Sequence, residues 1–309
     1  MSDIPVISFR DFENRKQEIG NQLIYAAENI GFFTVCDQAY PSVDDIKQQF
    51  SLSEQFFAQD DNVKSQTPFI KDKNSGWEKM AQVRPSTGTP DQKESLQLQQ
   101  HTKGQNWPTT INGFEDKTEK FMINSRKLSM QILSFFALAL GFEEDFFDRA
   151  HNVTKEDAQS TLRLLYYPDI TGIQLPKGYW RAGPHTDFDV LTLLFQHDGG
   201  EGLEICPGRK VQTSFAIGDE WTPVPAKTGH IVCNIGDMLM SWSDDRFKSN
   251  FHRVRAPDLG QNQQTRMSIA YFNQVNKNVI IQGPLKKYPA LTGGDYILQA
   301  IARNFSSFK

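Results

Sequence analysis

From Thr161 onward the apolar residues of this chain recur at every second position, no longer at every third or fourth. Successive side chains of a strand point to opposite faces, so a period of two sorts the residues of each run onto two faces of a sheet. Six such runs stand out, at residues 161–167, 190–196, 203–205, 231–235, 238–242 and 267–272. Turn signals such as Gly199-Gly200 and Ile235-Gly236-Asp237 separate them. Short strands at this spacing point to an antiparallel barrel or sandwich. The first half of the chain has the helical period instead. Ile19, Leu23, Ala26, Ala27 and Ile30 mark a helix over 11–30, ended by Gly31 and set between candidate strands at 4–9 and 32–35. Further helices are expected over 43–57 and over 115–140, the latter with Phe121, Leu128, Ile132, Phe135 and Phe136 on one side and Gly141 as its C-cap. The stretch 60–107 is polar and weakly patterned and is read as loops and short elements, a candidate lid. A closing helix is expected over 295–305. The fold class expected is mainly β with flanking α, a single unit over 1–309 with a mostly helical region, 1–150, and a strand-rich region, 151–309.

Composition narrows the function classes. The chain has 33 Lys and Arg against 37 Asp and Glu, a net charge of −4, whereas a nucleic-acid binder carries a basic excess. The longest apolar run, 132–142, is interrupted by Ser134 and Gly141 and falls short of the roughly 20 residues of a membrane span. The opening Met1-Ser2-Asp3-Ile4-Pro5 lacks the basic and apolar regions of a secretory signal. Cys36, Cys206 and Cys233 form no C-x-x-C pair and fit a reducing compartment, so a cytoplasmic protein is expected, with neither nucleic acid nor membrane as partner.

The informative segment is Arg181-Ala182-Gly183-Pro184-His185-Thr186-Asp187-Phe188. At i and i+2 of a strand, His185 and Asp187 present an imidazole nitrogen and a carboxylate oxygen to one side. A second histidine would complete the two-His, one-carboxylate set that leaves positions open on a non-haem Fe(II). His101 and His151 sit in polar contexts, His197 lies in a turn and His230 opens an apolar strand. His252 stands in Phe247-Lys248-Ser249-Asn250-Phe251-His252-Arg253-Val254, and 252 − 187 = 65 positions suit a ligand returning on a distant strand. Next come Arg266 and Ser268, which share one strand face with Ala270 and Phe272 and form a fork and hydroxyl suited to a carboxylate. Arg163 shares the face of Leu165 and Tyr167.

These residues, taken in order, resemble the isopenicillin N synthase-like Fe(II)/2-oxoglutarate dioxygenases. The likeness runs through Ile4-Pro5-Val6-Ile7, Gly31-Phe32-Phe33, Lys93-Glu94-Ser95, Tyr166-Tyr167-Pro168, His185-Thr186-Asp187, Asn234-Ile235-Gly236-Asp237, His252-Arg253-Val254 and Arg266-Met267-Ser268. It implies a double-stranded β-helix, or jelly roll, with His185, Asp187 and His252 on Fe(II), and Arg266, Ser268 and Tyr167 on the distal carboxylate of 2-oxoglutarate. It also implies O2 as second cosubstrate, with decarboxylation to succinate and CO2 coupled to oxidation of a C–H bond, a chemistry that needs no side-chain general base. Arg163, Arg181, Phe188, Phe272 and, from the candidate lid, Trp77 are the candidate contacts to a small-molecule substrate. The motifs look most like those of microbial members, some acting on pyrimidine bases and small heterocycles, and two arginines with an aromatic suit a polar planar or acidic substrate. Two rival readings are an iron oxidase that does not use 2-oxoglutarate and a jelly roll that binds without chemistry. The chain departs from the family pattern at Leu165, where Asn is common, at Cys36-Asp37-Gln38, and in an insertion over 206–221.

Overall fold

The computed structural model describes residues 4–83, 88–100, 104–173, 180–206, 220–257 and 262–305. Strand β1 (Val6–Ser8) runs parallel to β2 (Phe32–Cys36), with helix α1 (Phe12–Asn29) as the crossover a parallel pair requires. Helix α2 (Val43–Phe57) begins in a capping box, where Ser42 Oγ accepts from the Asp45 amide and the Asp45 carboxylate accepts from the Ser42 amide. A short α3 (Asp61–Lys64), the hairpin β3 (Gly76–Lys79) and β4 (Glu94–Gln99), the long α4 (Phe114–Ala139) and α5 (Phe146–Ala150) complete the first half.

The second half supplies β5 (Thr161–Tyr167), β6 (Ala182–His185), β7 (Leu191–Gln196), β8 (Leu203–Ile205), β9 (Thr222–Pro223), β10 (Ile231–Ile235), α6 (Asp237–Trp242), β11 (His252–Val254), β12 (Arg266–Asn273) and the closing α7 (Gly293–Phe305). Among the described residues an eight-stranded sheet has the order β1-β2-β10-β7-β12-β5-β4-β3, and a four-stranded sheet has the order β6-β11-β8-β9. The two sheets form the jelly-roll core, and strands from both halves of the chain share the larger one.

The period of two read from the sequence is the two-sidedness of that larger sheet. Leu162, Leu164, Leu193, Phe195, Ile231, Cys233, Ile269 and Tyr271 point outward and join one core with α1, α2 and α4. Phe121 of α4 meets Phe195 edge-on at 5.0 Å, and Phe33 meets Phe136 at 6.4 Å. Each such aromatic, fully buried, contributes about 1.5–3 kcal/mol. The alternate residues Leu165, Tyr167, Val232 and Ala270 point inward and pack with Ala182, Leu203 and Val254 of the smaller sheet.

One sequence expectation fails, and another becomes specific. Residues 238–242 form helix, not strand, because Met238, Leu239 and Trp242 are the buried positions, spaced to one helical face. The polar stretch 60–107 contains β3 and β4, which extend the main sheet beyond β5, with Leu96 and Leu98 fully buried. Several of its polar residues are buried and partnered: Ser95 Oγ donates to Glu78, and Lys64 pairs with Glu94 at 2.8 Å. The expected insertion falls mostly on 207–219, outside the described residues.

His151, at the end of α5, is 1% exposed and its Nδ1 lies 2.7 Å from the Phe147 carbonyl, to which it donates. Burial pushes this imidazole down to about 4, so it is neutral in the fold. The unfolded chain takes up the proton first as pH falls. Stability held above pH 6.5 is therefore lost between about 6.5 and 4, by about 3 kcal/mol in all. Urea midpoints measured across that window are expected to fall less steeply for His151→Gln than for the wild type.

Candidate metal centre

The inward face of the main sheet is the floor of a cavity that, with its open mouth, encloses about 590 Å³. Period two decides which residues line it: Arg163, Leu165 and Tyr167 from β5, Arg266, Ser268, Ala270 and Phe272 from β12, and Thr192 and Leu194 from β7. Val232 and Asn234 of β10 and Phe32 of β2 continue the same face.

The smaller sheet carries the histidines. β6 and β11 are antiparallel, and His185 is the cross-strand partner of His252, with ring centroids 4.2 Å apart. His185 Nδ1 lies 2.7 Å from the Gly183 carbonyl, which fixes the proton there and gives Nε2 a lone pair able to ligate a metal. β6 ends at His185, so Asp187 reaches the same place from the turn beyond the strand, not from the strand itself. Its Oδ1 lies 3.9 Å from His185 Nε2 and 3.8 Å from His252 Nε2. One ligand atom from each of the three residues falls within 4.8 Å of the others. Asp187 Oδ2 faces away and accepts from Thr192 Oγ1 at 2.7 Å and Asn234 Nδ2 at 2.8 Å. One carboxylate oxygen is thereby held for the protein and the other is turned toward the imidazoles. Beneath lies Asp189, whose carboxyl burial and the nearby Asp187 charge push well above its ordinary range. Its Oδ2 accepts from the same Thr192 hydroxyl at 3.1 Å, so that hydroxyl is shared between the two carboxyl groups.

Deeper in the cavity Arg266 is 1% exposed. It donates to the Gly200 carbonyl at 2.8 Å, Gln196 Oε1 at 3.0 Å and Ser268 Oγ at 3.2 Å, and it lies over the Tyr167 ring at 4.9 Å. All these partners are neutral. Burial lowers the guanidinium from its ordinary value, yet it remains a cation with no carboxylate in an ion pair with it among the described residues. That is an environment suited to an incoming carboxylate.

Chain profiles and relatives agree with this geometry. The profile of the 2OG-Fe(II) oxygenase superfamily matches residues 158–275, and that of the N-terminal region of non-haem dioxygenases in morphine synthesis matches residues 4–116. UPF0676 protein C1494.01 of Schizosaccharomyces pombe is 32% identical over 278 residues, which are 87% of this chain and 81% of that one. The chain belongs to the 2-oxoglutarate–Fe(II) oxygenase superfamily. The 2-oxoglutarate-Fe(II) type oxidoreductase hxnY of Emericella nidulans is 27% identical over 97% of this chain and 90% of its own length. The crystal structure of a full-length Neurospora crassa protein in complex with alpha-KG and thymine covers 97% of this chain and 96% of that one, with a TM-score of 0.82 at 27% identity.

As a member of the isopenicillin N synthase-like group, the chain is a non-haem oxidoreductase with Fe(II) as cofactor and 2-oxoglutarate as cosubstrate. The residues present fit the metal: two imidazole nitrogens and one carboxylate oxygen converge, and the carboxylate's outer oxygen is already satisfied.

Of the candidate substrate contacts, Arg163 and Phe272 line the cavity, with the guanidinium 5.2 Å from the ring centroid. Arg181, Phe188 and Trp77 are not among the described lining residues. Arg181 is buried and donates to the Gln264 carbonyl at 2.7 Å, so it turns toward the start of β12, where burial and the Arg266 charge push it down to about 10. Trp77 donates to Glu94 and packs on Lys64, sealing the β3–β4 edge. Phe188 is half-buried in the turn after Asp187. Lys93, missed as a candidate although it lies in a family-like motif, lines the cavity and pairs with Asp91 at 2.7 Å, and Asp91 in turn accepts from the Gly183 amide of β6. Thr192 and Asn234 were missed too, since neither residue type signals metal chemistry by itself.

Proposed function

We propose that this enzyme hydroxylates a C–H bond of a small, planar, polar heterocycle, with His185, Asp187 and His252 holding Fe(II), and Arg266, Ser268 and Tyr167 receiving the distal carboxylate of 2-oxoglutarate. The overall reaction is substrate, O2 and 2-oxoglutarate to hydroxylated product, succinate and CO2. Bound iron supplies the redox chemistry that couples the two oxidations; the protein positions and excludes. Arg266 orients the keto acid through its far end. Leu165, Leu194, Val232 and Val254 line the space between and keep it apolar.

The observation that carries the substrate class is the Arg163–Phe272 pair inside the cavity. An aromatic face beside a guanidinium receives a flat ring whose edge bears carbonyl or carboxylate oxygens. The Neurospora crassa structures with thymine and with 5-formyluracil support the same reading for this chain. We also propose that the chain acts as one catalytic unit in the cytoplasm. Cys36, Cys206 and Cys233 are in no disulfide among the described residues, which supports a reducing compartment, and no helix among those residues is long and apolar enough to cross a membrane.

Succinate formation in the presence of nucleobases and small nitrogen heterocycles tests the reading. A flat heterocycle is expected to stimulate succinate release. Arg163→Ala is expected to raise the KM for that heterocycle by roughly 10-fold or more, as loss of a charged hydrogen bond does, and to leave the KM for 2-oxoglutarate unchanged. If no heterocycle stimulates turnover, the substrate class is wrong.

A further inference from the structure

The Asn234-Ile235-Gly236-Asp237 turn between β10 and α6 touches every segment that carries a triad residue. Asp237 Oδ2 accepts from Thr186 Oγ1 at 3.0 Å, and Thr186 stands between His185 and Asp187. Asp237 Oδ1 accepts from Ser249 Oγ at 2.6 Å, three residues before His252. The Asp237 amide donates to the Asp187 carbonyl at 2.8 Å. Asn234, at the start of the turn, donates its side-chain amide to Asp187 Oδ2 at 2.8 Å. The turn is itself fixed on two sides, by the Ile235 amide on the Gly31 carbonyl at 3.0 Å and the Gly236 amide on the Val190 carbonyl at 3.2 Å. Only glycine permits that approach, because a Cβ at Gly236 would stand 2.1 Å from the Asp189 carbonyl oxygen.

We propose that this turn preassembles the metal triad, with Asp237 as a staple between the two ligand-bearing segments and Asn234 as the pin that turns Asp187 Oδ1 toward the histidines. The inference rests on the reading that His185, Asp187 and His252 hold the metal. Without the staple those segments are joined by the short β6–β11 pairing, whose register is irregular between His252 and Val254. Part of the metal-binding free energy would then go into ordering loops, and affinity would fall. Asp237 and Asn234 are positioning residues: they act through Thr186, Ser249 and Asp187.

The test is titration of the metal-free, full-length protein with Mn(II), reading free Mn(II) by electron paramagnetic resonance. Asp237→Ala is expected to weaken binding by roughly 10- to 100-fold. Asp237→Asn is expected to recover most of that loss, because its oxygen still accepts from Ser249 while its amide donates to the Thr186 oxygen. The double variant Thr186→Ala/Ser249→Ala, which keeps Asp237, is expected to reproduce the loss, and it keeps the test readable if Asp237→Ala does not fold. Wild-type affinity in that double variant, or Asp237→Asn binding as weakly as Asp237→Ala, would overturn the staple. Asp187→Ala separates the two levels. If it too binds Mn(II) like the wild type, the triad assignment fails; if it alone loses Mn(II), only the preassembly fails.

Discussion

Arg266→Ala is expected to raise the 2-oxoglutarate concentration for half-maximal turnover by roughly 100- to 1,000-fold, the range for truncating one partner of a buried charged pair. The guanidinium is buried, and its hydrogen bonds to Gly200, Gln196 and Ser268 hold it in one orientation. A carboxylate docked there loses its hydration and, in the variant, finds no cation to replace it. Arg266→Lys is expected to recover only part of the affinity, because an ammonium offers no planar fork and does not spread over the Tyr167 ring as the guanidinium does. Steady-state kinetics with 2-oxoglutarate varied at saturating substrate reads both. A KM for 2-oxoglutarate within about threefold of wild type in Arg266→Ala, well short of a tenfold step of about 1.4 kcal/mol, would remove Arg266 from the cosubstrate site.

Gly31→Ala is expected to be among the most damaging single substitutions in the chain. Gly31 has φ +74°, a left-handed conformation that costs an L-residue roughly 1–2 kcal/mol. An added Cβ would also stand 2.1 Å from the Lys248 carbonyl oxygen, so backbone must move. Overpacking of that kind costs about 1–3 kcal/mol, for a total of about 2–5 kcal/mol. The displaced strand of chain is the one leading through Ser249 and Asn250 to His252, so metal affinity falls with stability. Gly141→Ala is the control: it shares a positive φ, +80°, but its Cβ meets nothing within 4 Å. Thermal unfolding of the two variants is expected to separate them clearly, with Gly31→Ala far the lower.

Much of the fold is legible in the sequence because each main strand has one face on helices and one on the cavity. β5, β7, β10 and β12 therefore alternate cleanly, and the same alternation places Arg163, Tyr167, Arg266, Ser268 and Phe272 on the cavity side. β4 escaped because its inward residues, Ser95 and Gln97, are polar yet buried, satisfied by Glu78 of the neighbouring strand. Polarity there signals a hydrogen-bond network and not solvent. α6 escaped because so short a run samples too little of either period; the acidic Asp237 after Gly236 was the available sign of a helix start. Within the site, the histidines and Asp187 stand out because few residue types bind metal. Arg181 misled for a related reason: its nearness in sequence to His185 says nothing of its side chain, which turns to Gln264. Thr192 and Asn234 become visible only when β7 and β10 are placed side by side, where the two are cross-strand partners.

Anaerobic addition of Fe(II) and then 2-oxoglutarate to the metal-free protein tests most directly whether this cavity is the iron and 2-oxoglutarate site. The wild type is expected to develop the weak visible charge-transfer band of the Fe(II)–2-oxoglutarate chelate, and Asp187→Ala and Arg266→Ala are expected to show none at the same concentrations. A band of wild-type strength in both variants would place the chemistry elsewhere and contradict the assignment.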